Sequence, residues 1–216
     1  LRDVGVSGKV LLEPIGKNTA PAVFAAAYYV QKFHGDALML VMPSDHHIPD
    51  HERFREMVLS GVPAALDNSL ITFGVTPDRP ETGYGYIEVE GDGDKVCLPV
   101  KKFHEKPQVE SAKRMIAAGN HFWNAGIFLF KASTVLKFAE RLETDAMTLV
   151  KISVDAAVKD NNFLHLDSAS WSQVKAVSFD HSILERINQI ECVKFNGRWL
   201  DLGDWKALGG QLPSDG

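Results

Sequence analysis

The chain has 216 residues, is 45% apolar and carries a net charge of −5, which suits a single domain over residues 1–216 built on one core. Its 23 basic side chains form no run and are outnumbered by 28 acidic ones, so nothing offers a nucleic-acid backbone an electrostatic footprint. No apolar stretch reaches membrane-spanning length, no N-terminal segment has the layout of a secretion signal, and Cys97 and Cys192 lie far apart without CxxC spacing. These features exclude a membrane protein and a disulfide scaffold, and they fit a reducing, cytoplasmic compartment.

In chain order, Lys9 to Leu12 reads as a strand. Asn18-Thr19-Ala20-Pro21 opens a helix through about Phe33, with a capping side chain and a proline in the first turn. Ala37 to Met42 is the next strand. Glu52 to Leu66 has helical spacing interrupted by Gly61 and Pro63, and Ser69 to Val75 reads as a strand again. This β-α-β-α-β succession implies parallel strands, right-handed crossovers and a layered α/β sheet. Tyr86 to Val89 and Val96 to Glu105 follow as strands, Val109 to Ala118 as a helix, and Gly126 to Phe130 as a strand. Helices fill Ser133 to Lys159, and the last strands are Cys192 to Phe195 and the region around Trp199. Leu1 to Ser7 holds no phosphate-cradling glycine loop, so the chain reads as beginning inside a domain.

Six segments carry chemical potential. Pro43-Ser44-Asp45-His46 ends the buried run Ala37 to Met42, and the carboxyl end of such a strand is where open α/β sheets bind ligands. Asp45 therefore either holds a metal or phosphate-bearing substrate, or caps the helix that starts near His51. Glu13-Pro14-Ile15-Gly16-Lys17-Asn18 joins a strand end to a helix N-terminus, which favours anions. Glu13 suits the N1–H and N2–H₂ edge of guanine, or is simply a solvent-facing acid. Pro80-Glu81-Thr82-Gly83-Tyr84-Gly85-Tyr86 combines glycines that permit close backbone approach with tyrosine faces that grip sugars; a plain hairpin turn is the alternative.

Phe103-His104-Glu105-Lys106-Pro107 ends a strand with a lysine for a phosphate and an acid for sugar hydroxyls, or with ordinary surface charges. Adjacent strand residues face opposite ways, so Glu105 and Lys106 are not partners unless the strand has already ended. Asn124 in Trp123-Asn124-Ala125-Gly126 offers an amide to a sugar, or serves a turn. Asp201, among apolar residues in Trp199-Leu200-Asp201-Leu202-Gly203-Asp204-Trp205, needs a partner such as a divalent cation. His46, His47 and His51 form HHxxxH, but Pro49 prevents the helix that would pair them and no glutamate follows His47, so zinc is set aside there. His104, His121, His165 and His181 show no partners in sequence.

Taken in order, Glu13-Pro14-x-Gly16-Lys17-Asn18-Thr19-Ala20-Pro21-Ala22, Pro43-Ser44-Asp45-His46-x-Ile48, Pro80 to Ile87, Phe103-x-Glu105-Lys106-Pro107, Trp123-Asn124-x-Gly126, Asp180-x-x-x-x-Glu185 and Trp199-x-Asp201-x-Gly203-x-Trp205 resemble the mannose-1-phosphate guanylyltransferase family. The resemblance implies a Rossmann-like nucleotidyltransferase sheet with helices on both faces, lacking the first β-α units. It implies synthesis of GDP-mannose and pyrophosphate from GTP and mannose 1-phosphate with Mg²⁺. By the same resemblance Asp45 and Asp201 hold the metal, and Lys106 meets the sugar phosphate. Glu105 and Asn124 meet the mannose, Gly85 the sugar ring and Glu13 the guanine. The family's glycine-rich N-terminal signature is not in this chain, Lys17 stands where arginine is usual, and Ala125 and Asp204 replace serines. Strands left unpaired by the missing units would expose a sheet edge, which implies either self-association into a homo-oligomer or a truncated, marginally stable core. A non-catalytic nucleotide-sugar-binding module, or an enzyme for another sugar 1-phosphate or base, are the alternatives.

Overall fold

The computed structural model describes Gly5, residues 8–91 and residues 95–202. Gly203, Asp204 and Trp205 of the last motif lie outside the described residues. The chain divides into two compact units, Leu1–Met39 with Lys131–Ile187, and Leu40–Phe130 with Asn188–Gly216.

In the first unit, β1 (Val10–Leu12) leads through the Glu13 loop into α1 (Thr19–His34). Asn18 caps that helix, its side chain accepting the Thr19 N–H at 2.8 Å, and Gly35 ends it at φ 78°, a backbone angle glycine adopts without strain. The buried face of α1 packs on α4 (Ala132–Leu142), α5 (Thr144–Asp155) and the short α7 (Phe179–Ser182). A hairpin, β8 (Val158–Asp160) and β9 (Phe163–His165), places β9 parallel to β1 in a three-stranded sheet of order β1-β9-β8. α6 (Ser168–Gln173) packs on α5 and buries Trp171 completely; the Trp171 indole N–H donates to Ile15 O at 2.8 Å.

The chain leaves that unit within β2 (Leu38–Val41) and returns at the end of β7 (His121–Lys131). Those strands, with β4 (Leu70–Val75), β5 (Tyr86–Val89), β6 (Cys97–His104) and β10 (Ile190–Phe195), form a six-stranded sheet of order β2-β7-β4-β10-β6-β5. The expectation of parallel strands joined by βαβ crossovers is corrected here. β4 runs parallel to β10, but β4–β7, β10–β6, β5–β6 and β5–β7 are antiparallel, and β1 belongs to the other sheet. Local alternation of strand and helix reads the same whichever strands later pair, which is why the sequence misleads.

α2 (His51–Leu66) is also unbroken, although Gly61 and Pro63 read as interruptions. Pro63 is exposed, and its missing N–H leaves the Leu59 carbonyl without its usual helical donor. Gly61 is buried against Ile71 and Val193; a Cβ there would stand 3.2 Å from Ile71 Cγ2. The glycine thus sets the closeness of α2 to β4 and β10.

β7 extends well beyond the Gly126 to Phe130 expected. His121 to Trp123 pair with β5 and Trp123 to Leu129 with β4, β2 also lying beside β7, and the register shifts where Thr72 faces Phe128 but Gly74 faces Asn124. Gly126, at φ 66°, sits in the bulge at the register shift between β7 and β4. Cys97 and Cys192 are free, on neighbouring strands, and burial lifts their thiols to about 11 and about 12 respectively. No helix among the described residues is long and apolar enough to cross a membrane.

Candidate functional site

Two segments far apart in sequence form one ribbon in the second unit. β3 (His46–His47) pairs antiparallel with β11 (Leu200–Asp201), His46 opposite Asp201, and the Leu202 N–H donates to Asp45 O at 2.9 Å. One donor atom each from Asp45, His46 and Asp201 lies within 4.8 Å of the other two. Capping of α2 falls to Asp50, whose carboxylate accepts the Arg53 N–H at 3.0 Å. Asp45 therefore does not cap that helix.

His46 is held from behind. The Trp199 indole N–H donates to His46 Nδ1 at 3.2 Å, with the rings edge to face at 5.1 Å. Burial pushes the His46 pKa below its ordinary value against the pull of Asp201 and Asp45. A neutral ring that accepts at Nδ1 carries its proton on Nε2, so it offers the carboxylates a donor rather than a lone pair. That leaves two hard carboxylates, Asp45 and Asp201, as the candidate donors for a cation. That set fits magnesium, which takes one or two carboxylates and keeps its waters, better than it fits zinc.

A second group converges on β5, β6 and β7. Gly85 brings its backbone so close that a Cβ would stand 2.9 Å from Glu105 Oε2 and 3.7 Å from Asn124 Cβ. The Asn124 N–H donates to Gly85 O at 2.8 Å, while Asn124 Oδ1 accepts from Thr72 Oγ1 and the Gly126 N–H, both at 3.2 Å. The bulge in β7 therefore fixes the asparagine. β6 ends at His104, so the strand has ended before Glu105, and Lys106 Nζ lies 3.5 Å from Glu105 Oε1. Lys106 has φ 40°, left-handed for a residue that precedes proline, which breaks the strand alternation and costs about 1 kcal/mol. Gly85, Glu105, Lys106 and Asn124 are brought together.

Beside them, a cavity of about 370 Å³ is walled by Arg79, Tyr84, Trp123, Trp199 and Asp201. Tyr84 meets Trp123 and Trp199 edge to face at 5.4 and 5.2 Å, and the Arg79 guanidinium lies 5.0 Å from the centre of the Trp123 ring. Of the two tyrosines in the motif, Tyr86 is buried and its hydroxyl donates to Glu81 O at 2.9 Å, so only Tyr84 faces the cavity. Arg79 was not read from the sequence; its place beside Pro80-Glu81-Thr82 was the available signal.

Glu81 organises this loop. Its Oε1 accepts the Thr82 and Gly83 N–H groups at 2.9 and 3.0 Å, and the Gly83 bond, with smaller help from Thr82 and Arg79, holds its carboxyl below the usual carboxylate range. A lowered native value stabilises the fold above the unfolded carboxylate's value, and the benefit is lost as pH falls through the native one. We predict that Glu81→Gln costs about 1 kcal/mol at pH 7. Urea melts at descending pH should show the gap from wild type closing on the acid side.

Glu13 lies in the first unit, exposed just after β1. Loss of surrounding water raises its pKa, partly offset by the Lys17 backbone N–H. Lys17 is committed within its own unit, Nζ donating to Ser172 O at 2.7 Å.

The sequence pattern described as "Nucleotidyl transferase" matches residues 1–211. The chain is 38% identical over 205 residues to the mannose-1-phosphate guanylyltransferase of Escherichia coli (strain K12), covering 92% of this chain but 43% of that relative, so it spans under half the relative's length. Among solved structures, it is similar to one described as mannose-6-phosphate isomerase from Helicobacter pylori, with TM-score 0.81, 27% identity and coverage of 91% of this chain and 75% of that one. It is also similar to one described as mannose-1-phosphate geranyltransferase from Thermus thermophilus, with TM-score 0.79, 28% identity and coverage of 91% and 56%. Matched over this span in pattern and fold, the chain belongs to the nucleotidyl transferase family.

Proposed function

We propose that the protein containing this chain transfers GMP from GTP to mannose 1-phosphate, giving GDP-mannose and pyrophosphate in the cytoplasm. The observation that carries the reading is that Asp45 and Asp201 offer carboxylate oxygens within 4.8 Å of each other, with Asp201 lining a cavity also walled by Tyr84 and Trp123, the chain neighbours of Gly85 and Asn124. A cavity of about 370 Å³ suits a sugar phosphate better than a whole nucleotide sugar.

In this reaction an oxygen of the sugar phosphate attacks the α-phosphorus of GTP; the new P–O bond forms as the α–β anhydride breaks, and pyrophosphate leaves. Two polyanions must meet, so neutralisation and alignment supply most of the catalysis. Magnesium held by Asp45 and Asp201 would supply positive charge to the phosphates. Lys106, on its strained turn, presents its ammonium to the sugar phosphate. Glu105 and Asn124 orient the mannose hydroxyls, Gly85 lets the ring approach the backbone, and Glu13 accepts from guanine. No residue acts as general base, because a phosphate monoester is largely a dianion above a second pKa of about 6.

Gly85→Ala tests the sugar assignment. The added methyl displaces the end of a flexible carboxylate side chain rather than backbone, so the fold is kept while Glu105 moves. The KM for mannose 1-phosphate should rise about 10-fold, with that for GTP unchanged. The reaction itself is tested by pyrophosphate release from the full reading frame containing this chain, over a panel of nucleoside triphosphates and sugar 1-phosphates. The pair GTP and mannose 1-phosphate should give the highest kcat/KM. A better alternative pair contradicts the assigned substrates, and GDP-mannose binding without turnover on any pair contradicts the catalytic reading.

A further inference from the structure

Three neighbouring strands of the second unit bring one carboxylate and two imidazoles onto one sheet face. Glu88 of β5 stands opposite His121 of β7, and His104 of β6 stands opposite Tyr86, two residues before Glu88 and therefore on the same side. One donor atom from each lies within 4.8 Å of the other two, and the histidine ring centroids are 5.6 Å apart.

Two observations separate this cluster from an ordinary polar patch. His104 Nε2 and His121 Nδ1 are buried without a well-formed hydrogen bond, His104 Nε2 having only the Glu88 carboxylate at 3.5 Å, the kind of deficit a bound cation would relieve. Glu88 is already oriented: Lys101 Nζ donates to its Oε1 at 2.6 Å, which leaves Oε2 turned toward His104, 3.5 Å from Nε2. The register shift between Glu88 and Val89 is what lets Lys101 reach it. An outer partner that fixes a carboxylate in this way is a common companion of metal ligands.

We propose that Glu88, His104 and His121 bind one zinc ion, at a site separate from Asp45 and Asp201. Two imidazoles and one carboxylate, with a fourth position for water, form a donor set that zinc accepts readily and magnesium does not. Bonds of about 2.0–2.1 Å in a tetrahedron place ligand atoms roughly 3.3 Å apart, so the three side chains close in on the ion by small rotations. The ion would pin β5, β6 and β7 to one another next to Gly85, Glu105 and Asn124.

The test is calorimetric titration of the full chain with Zn²⁺ in excess Mg²⁺, paired with the visible absorption of the Co²⁺ form. One tight equivalent is expected, with a Co²⁺ band of four-coordinate nitrogen and oxygen ligation that Zn²⁺ removes. His104→Gln and His121→Gln should each weaken binding by more than the ~10–100-fold that loss of an outer partner costs. Asp45→Asn should leave this equivalent intact. Glu88→Gln, close to isosteric, replaces a histidine variant that fails to fold. Absence of a tight equivalent in the wild-type chain, or an equivalent that survives these substitutions or vanishes in Asp45→Asn, overturns the proposal.

Discussion

Replacing Asp45 or Asp201 by asparagine should lower GDP-mannose formation by roughly 10³-fold, about 4 kcal/mol of transition-state charge stabilisation. Asparagine keeps the shape and the backbone, including the Leu202 N–H bond to Asp45 O that ties the two segments together. Thermal stability of the cation-free protein should stay the same or rise slightly, because each substitution removes one of two acids whose oxygens lie within 4.8 Å. That opposite movement of activity and stability distinguishes metal ligands from structural acids. Steady-state pyrophosphate release and melting curves in chelator check the two halves. A variant that loses stability along with activity, or keeps full activity, contradicts the assignment.

The largest effect on folding is expected from Trp171→Ala. The side chain is fully buried in the first unit, and its truncation should cost about 3–5 kcal/mol, a large share of a typical domain's stability. It also removes the donor to Ile15 O, in the loop that carries Glu13. Trp171→Phe separates the two contributions, keeping most of the packing while losing the indole N–H, at about 1–2 kcal/mol. Urea unfolding gives both numbers. Because the loop loses its tether in the phenylalanine variant, the KM for GTP should rise while that for mannose 1-phosphate holds.

Where structure depends on neighbours in sequence, the chain announced it. Asn18 before Pro21 marked the start of α1, and the apolar run at Leu70–Val75 marked β4, now the fully buried strand between β7 and β10. Where it depends on partners far along the chain, local patterns were silent or misleading. β3 and β11 are two residues each and exist only because His46 meets Asp201. The antiparallel pairing of β7 with both β4 and β5 has no local signature beyond Gly126. The candidate site divides the same way. Gly85, Glu105, Lys106 and Asn124 were singled out by motif chemistry with ordinary turns and surface charges as alternatives, and their proposed roles came from the resemblance; the structure shows that they lie together. His46 was passed over because its role rests on the Trp199 indole, and His104 and His121 were read as isolated because their proximity is created by β5 between them.

Everything proposed for catalysis depends on Asp45 and Asp201 forming one oxygen-donor cation site, and Mn²⁺, which such sites accept in place of Mg²⁺, reports on it directly. Titrating the protein with Mn²⁺ and following the loss of the free-ion electron paramagnetic resonance signal should show one bound equivalent in the wild type. Asp45→Asn and Asp201→Asn should weaken that equivalent to a similar extent, whereas His104→Gln leaves it unchanged. Equal Mn²⁺ affinity in the wild type and both aspartate variants would contradict a shared cation site.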